Sequence, residues 1–166
     1  MKVELSLASS ADIPTLENLM QLYLYDFSEF DCADVDGQGR YSEYLDLYWT
    51  KPERHPFLIW VNGWLAGFVL VHQTTEQDGG SYYEIDEFFV LRKYRRQGVG
   101  RLAARAAFDR FPGRWKVAQE KANIPAQEFW RKIIAEYTNG VYEENTPSNQ
   151  DWLGPVQTFT SFIKGV

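Results

Sequence analysis

The sequence predicts a mixed α/β fold, and three features carry that prediction. Two strand-like runs meet at Asn62-Gly63, the dipeptide that best fits a two-residue hairpin turn. Segments of period-two alternation trade places along the chain with segments whose apolar residues recur every three or four positions. A strand then runs into a helix through a glycine pair, Gly98 and Gly100. The pass along the chain yields about seven strands and about four helices, without internal repeats or a linker long enough to divide it. Residues 1–166 are therefore expected to form one domain.

Each element follows from local pattern. Residues 2–8 alternate around Val3, Leu5 and Leu7, as a first strand does. Asp12 and Pro14 open a helix, because proline's fixed φ suits a first turn, and Leu16, Leu19, Met20, Tyr23 and Phe27 give it one apolar face. The Asp- and Gly-rich stretch 30–40 reads as a loop, residues 41–49 as a short helix, and Pro52 and Pro56 as its terminators, with His55 in the loop between them. Runs 57–61, 64–71 and 82–91 make three antiparallel strands. After Gly98, Val99, Leu102, Ala103, Ala106 and Ala107 mark a helix that stops at Phe111-Pro112-Gly113. A strand over 115–118, a helix over 124–137 and strands over 141–144 and 156–163 complete the order.

Composition narrows the function classes. A chain of 166 residues, 45% hydrophobic and 24% charged, is globular, and 16% aromatic content implies buried rings or a cleft lined by them. A net charge of −6 argues against general nucleic-acid binding. No apolar run approaches membrane-spanning length. The single cysteine, Cys32, excludes an intrachain disulfide, and the opening Met1-Lys2-Val3-Glu4 lacks the apolar stretch of a signal peptide, so a cytoplasmic location is expected. Charge is segregated: residues 26–46 carry seven carboxylates against Arg40, whereas Arg92, Lys93, Arg95, Arg96, Arg101 and Arg105 form a run of one sign.

The sharpest motif is Arg95-Arg96-Gln97-Gly98-Val99-Gly100-Arg101, where a strand passes into a helix. Glycine permits the positive φ of a tight turn. The helix start directs unpaired N–H groups and the positive end of its dipole outward, which suits a phosphate. No Gly-Lys-Ser/Thr follows, which excludes a Walker loop, and no Gly-x-Gly-x-x-Gly is present for a dinucleotide site.

These residues resemble the GNAT superfamily of acetyl-CoA-dependent N-acetyltransferases, whose cofactor motif is Arg/Gln-x-x-Gly-x-Gly/Ala after the fourth strand. Residues 62–67 resemble that family's second hairpin, and Asn123, Ala126, Phe129 and Trp130 its fourth-helix signature. The resemblance implies a mostly antiparallel sheet splayed between strands 4 and 5, with acetyl-CoA as co-substrate. It implies that the N–H groups from Arg96 through Gln97, Gly98, Val99 and Gly100 to Arg101 hold the pyrophosphate. Backbone near Phe89 and Val90 would pair with the pantetheine arm, and Asn123 would lie on the cofactor side of the gap.

Acyl transfer to an amine needs a base, since an alkylamine is mostly protonated at neutral pH. Glu84, Asp86 and Glu87 lie on the strand leading into the loop. Glu84 matches the catalytic glutamate of several histone-acetylating members when counted back from Gly98 and is the first choice of base, whereas a bulge in this strand would bring Glu87 inward instead. The family's thiolate-protonating tyrosine is replaced by Trp130, whose indole is no practical acid. Tyr137 and Tyr142 are the candidate substitutes, but each reads first as a packing residue, so no acid is assigned. His72, near a strand end, reads as structural, and acidic neighbours of Cys32 argue against a cysteine intermediate. No cluster has metal-ligand spacing, so no metal is implied. The acidic, aromatic segment from Tyr23 to Tyr48 points to a cationic small-molecule or peptide amine as acceptor. A non-catalytic acyl-CoA-binding or regulatory module is the alternative reading, and an RNA-binding role is disfavoured by charge. Either a monomer or a homodimer fits, with Phe159 and Phe162 near the last strand.

Overall fold

A computed structural model describes residues 1–147 and 154–162. In chain order the elements are β1 (Val3–Leu7), α1 (Ile13–Asp31), α2 (Asp46–Thr50), β2 (Arg54–Val61), β3 (Trp64–Thr75), β4 (Ser81–Val90), α3 (Val99–Arg110), β5 (Gly113–Ala118), α4 (Ile124–Thr138), β6 (Glu143–Asn145) and β7 (Val156–Ser161). Short 3-10 turns at Ser10–Asp12 and Arg92–Tyr94 were not legible in the sequence. One sheet of seven strands has the order β1-β2-β3-β4-β5-β7-β6, antiparallel except for the β4–β5 pair.

The local reasons hold element by element. Asn62 and Gly63 take φ of 49° and 81°, and Val61 pairs with Trp64, as a two-residue turn with two positive φ values requires. Helix α1 carries proline in its first turn and is capped by Cys32 in the left-handed region (φ 56°), so it runs two residues, Phe30 and Asp31, into the stretch expected to be loop. The second helix is shorter than expected, at Asp46–Thr50.

Two expectations around the prolines are corrected. His55 and Pro56 lie inside β2, and Pro56 pairs with Leu70 of β3. The Pro56 carbonyl accepts the Ala8 N–H just past the end of β1, so its missing N–H falls where the neighbouring strand has run out, which is where a strand tolerates proline. At the C-terminus, the expected strand reached Ile163; β7 ends at Ser161, and Ile163 lies outside the described residues.

The sheet buries both faces. Phe57, Ile59, Val69 and Val71 pack under α3 and α4 with Trp115, Ile133 and Phe159. Leu58, Phe68, Leu70 and Phe89 pack under α1 and α2 with Leu16, Met20, Leu45 and Tyr48. Strands covered on both sides read as continuous apolar runs, which is why β2 and β3 were plain in the sequence.

In β4 the pairing Leu70↔Glu87 is followed by Val71↔Ile85, which leaves Asp86 as an extra, bulged residue. Before the bulge Tyr83 and Ile85 face α3 and α4; after it Phe88 and Val90 do, and Phe89 turns to α1 and α2. The strand's parity is thereby reversed.

Gly67 marks the tightest approach in the sheet. A Cβ there would lie 1.9 Å from the Phe89 carbonyl oxygen. Gly67→Ala is expected to lower the unfolding free energy by about 3 kcal/mol, since rigid backbone must move. Gly63→Ala, with nothing within 4 Å but φ at 81°, is expected to cost about 1 kcal/mol. Urea denaturation checks both, and equal midpoints for the two variants would contradict the close approach.

Candidate active site

Strands β4 and β5 pair only at Tyr83↔Trp115, Glu84↔Lys116 and Ile85↔Val117. Beyond Ile85 they part, and a cleft of about 320 Å³ opens between residues 85–88 and residues 117–120. Helix α1 contributes Tyr23, Leu24, Phe27 and Asp31 to its walls, and α4 contributes Ala126 and Trp130, with Asn123 at the start of that helix.

Glu87 lies in this cleft, and Glu84 is not among the lining residues. The Glu87 carboxylate accepts hydrogen bonds from two phenols: Tyr44 to Oε1 at 2.5 Å and Tyr23 to Oε2. Burial raises its pKa above the ordinary carboxylate value; the two phenol bonds work against that rise, and the Asp86 charge adds to it. The phenols are pushed the other way from acidity, chiefly by burial and then by the charge of Glu87, so both remain protonated donors.

Glu84 and Asp86 belong to a neighbouring network. Asp86 accepts from the Tyr48 hydroxyl, pairs with Arg54 at 2.8 Å, and meets His72 Nδ1 at 2.7 Å. His72 Nε2 lies 2.7 Å from Thr74 Oγ1 and 3.3 Å from Glu84 Oε2. Both imidazole nitrogens are thus engaged, consistent with a structural His72. His72, Glu84 and Asp86 offer atoms within 4.8 Å of one another, a cluster that spacing did not reveal because it bridges β3 and β4. Arg54 on Asp86 already supplies the compensating positive charge, so the group is an ion-paired network on its own terms. His55 instead stacks on Phe111 at 4.8 Å, and burial lowers its pKa.

The glycine loop sits where β4 gives way to α3. Arg96 and Gly98 both adopt left-handed backbone, at φ 61° and 83°, and Leu102 N–H, on the Gly98 carbonyl at 3.1 Å, starts the α3 ladder. The N–H groups of a helix's first turn have no partner within the helix. Gly98 needs its φ; Gly100 is required for a different reason, since a Cβ there would stand 3.1 Å from the Phe129 ring of α4. Gln97 Nε2 donates to the Lys93 carbonyl at 2.6 Å. Arg96 and Arg101 are exposed. Arg95 turns back: its Nε donates to the Val90 carbonyl at 2.7 Å, its guanidinium lies 5.5 Å from the Phe89 ring, and it pairs with Asp26.

Asn123 caps α4, its side-chain oxygen accepting from Ala126 N–H at 3.1 Å. Trp130 both lines the cleft and packs edge-on against Phe88 at 5.0 Å. Neither Tyr137, whose hydroxyl donates to Asp109 at 2.8 Å, nor Tyr142 is among the lining residues. Tyr23 and Tyr44, which reach Glu87 from 64 and 43 residues away, had no signal beyond membership of an aromatic segment.

The family model described as Acetyltransferase (GNAT) family matches residues 16–134. No curated protein matches the chain. Among solved structures, an aminoglycoside acetyltransferase, AAC(6')-Ib, in complex with coenzyme A is 16% identical with a TM-score of 0.67, over 96% of this chain and 95% of that one. The Escherichia coli ribosomal-protein-S18-alanine N-acetyltransferase is 15% identical with a TM-score of 0.60, over 99% and 97%. An Arabidopsis thaliana protein in complex with the bisubstrate analogue CoA-Ac-MVNAL is 14% identical with a TM-score of 0.60, over 96% and 99%. At these identities the likeness is one of fold. The splayed β4–β5 pair, the glycine loop that follows β4 and the match from α1 into α4 have one reading: this chain belongs to the acetyltransferase (GNAT) family.

Proposed function

We propose that the chain, as one domain over residues 1–166, transfers an acetyl group from acetyl-CoA to a primary amine by direct attack in a ternary complex. The observation that carries this reading is a partly buried carboxylate, Glu87, held by two phenols inside the cleft between β4 and β5. Outward N–H groups at residues 96–101 suit the pyrophosphate. Backbone at Phe89 and Val90, past the last β4–β5 pair, and the Asn123 side of the gap suit the pantetheine arm.

Glu87 rather than Glu84 is the proposed base, because only Glu87 lines the cleft. A carboxylate with raised proton affinity takes a proton from an ammonium more readily than an ordinary one. Glu87 takes one proton from the ammonium, the amine nitrogen bonds to the thioester carbon, the carbon–sulfur bond breaks with its electron pair on sulfur, and the second amine proton passes through solvent to the departing thiolate, giving the free thiol of CoA. Trp130 supplies no acid, and a thiol with a pKa of about 8.5 is a tolerable leaving group without one.

The acceptor follows from charge. Asp31, Asp86, Glu87 and Glu120 line the cleft, and no lysine or arginine does. Asp86 is compensated by Arg54; the other three make no ion pair among the described residues. Carboxylates beside the rings of Tyr23 and Phe27 favour a cationic amine, whether a small molecule or a peptide terminus. Among the similar folds, an aminoglycoside acetyltransferase is in complex with coenzyme A and kanamycin, and another protein is in complex with the analogue CoA-Ac-MVNAL. Among the described residues no helix is long and apolar enough to cross a membrane.

Isothermal titration with acetyl-CoA tests the anchor. The wild-type protein should bind, and a folded Gly98→Trp variant should not; absence of binding by the wild type at millimolar acetyl-CoA would mean that only the fold is shared. An amine panel scored by CoA release tests turnover, and binding without release across the panel would leave the non-catalytic module as the reading. Glu87→Gln is expected to lower kcat by about a hundredfold or more, whereas Glu84→Gln should change it little; the reverse order would return the role to Glu84.

Burial raises the pKa of Glu87 in the folded state above 4.5, so the folded protein binds this proton more readily than the unfolded chain. Its contribution to stability is therefore full below pH 4.5 and is lost as pH rises through the folded value. Activity should rise over that same window as the base ionises. In Glu87→Gln both dependences should flatten, as read by thermal melts and pH–rate profiles.

A further inference from the structure

Resting on the acetyl-CoA reading of the loop, we propose that Asp26 of α1 is a positioning residue for acetyl-CoA binding. It holds Arg92 and Arg95 as braces for the phosphate loop and not as phosphate ligands. One carboxylate takes both cations, Arg92 on Oδ1 at 2.7 Å and Arg95 on Oδ2 at 2.5 Å. The Asp26 side chain is 19% exposed, while those of Arg92 and Arg95 are 76% and 40% exposed, so the bond to Arg95 is the less screened of the two. Burial alone would raise the Asp26 pKa, but the hydrogen bonds from Arg95 and Arg92 more than offset it and the net direction is down.

Arg95 is held at three points. Nε donates to the Val90 carbonyl, the guanidinium covers Phe89, and the terminal nitrogen reaches Asp26. A planar fork bound this way has little freedom left for an incoming phosphate. The next residue, Arg96, is a non-glycine residue in left-handed backbone (φ 61°). Such a conformation persists only where its surroundings impose it. Arg95 is the fixed residue immediately before it, so the clamp determines where the turn begins and hence where the N–H groups of residues 96–101 point. The same helix, one turn earlier, sends Tyr23 to Glu87, which gives α1 a bond to each side of the site.

Electrostatics and positioning predict opposite signs. Removing a negative charge near an anion site should tighten anion binding, whereas releasing the brace should weaken it. Isothermal titration of acetyl-CoA is measured for the wild type, Asp26→Asn, Arg95→Lys and the double variant, each checked for folding by circular dichroism. Asp26→Asn is expected to raise Kd about tenfold. Arg95→Lys keeps the charge yet should weaken binding similarly, because an ammonium cannot span Val90 and Asp26 together. The double variant should be no worse than the weaker single, since both remove one brace. In turnover the KM for acetyl-CoA should rise more than kcat falls. Unchanged or tighter binding by folded Asp26→Asn, or additive losses in the double variant, would overturn the proposal while leaving the loop's role intact. No binding by the wild type would overturn the loop reading and this inference with it. If Asp26→Asn does not fold, Arg95→Lys decides the outcome by the same sign.

Discussion

Strand β4 carries one residue more than β3 can pair, and the site depends on how that surplus is absorbed. The bulge at Asp86 reverses the strand's parity, so that Glu87 follows Glu84 and Asp86 onto the side facing α1 and α2 while Phe88 and Val90 fill the core under α3 and α4. A bulge also bends and twists its strand, and the last pair of β4 with the parallel β5, Ile85↔Val117, falls directly before it. Without the extra residue, strict alternation would carry Glu87 into an apolar core with no phenol to meet it. The cleft and the carboxylate inside it share one cause.

The two adjacent carboxylates are compensated in different ways. Asp86 has a guanidinium, an imidazole and a phenol around it. Glu87 has phenols alone, which donate hydrogen bonds without bringing charge. Taking a carboxylate out of water without a counter-ion is costly, and the group responds by holding its proton more tightly. A raised proton affinity is therefore built from burial and from the choice of tyrosine over arginine as partner. The aromatic residues between Tyr23 and Tyr48 gain a specific purpose here, since three of their hydroxyls end on carboxylates of β4.

The glycine loop divides its duties in a comparable way. Gly98 supplies backbone freedom, while Gly100 makes room for Phe129 so that α3 and α4 can close on each other. Its arginines divide too: Arg92 and Arg95 bind back to Asp26 of α1, and Arg96 and Arg101 make no ion pair among the described residues. One helix is thus joined to the loop through Asp26 and to the proposed base through Tyr23, so its placement bears on both halves of the cleft.

Much of this was legible in the residues themselves. The order and type of the elements, the Asn62-Gly63 turn and the loop at Gly98 are written in spacings of a few residues, because backbone conformation and amphipathic period are local properties. Pro56 misled for the same reason: locally it reads as a terminator, and only the early end of β1 makes it acceptable in a strand. Which carboxylate enters the cleft, which phenols reach it and which arginines are tied down depend on contacts between residues some 40 to 70 positions apart. A one-residue shift in strand register exchanges the two faces, and no local pattern states where that shift occurs. The sequence alone therefore determined the architecture and the glycine loop, while the tertiary structure decided the identity of the cleft carboxylate, because only the pairing of β4 with β3 sets the side from which Glu87 emerges.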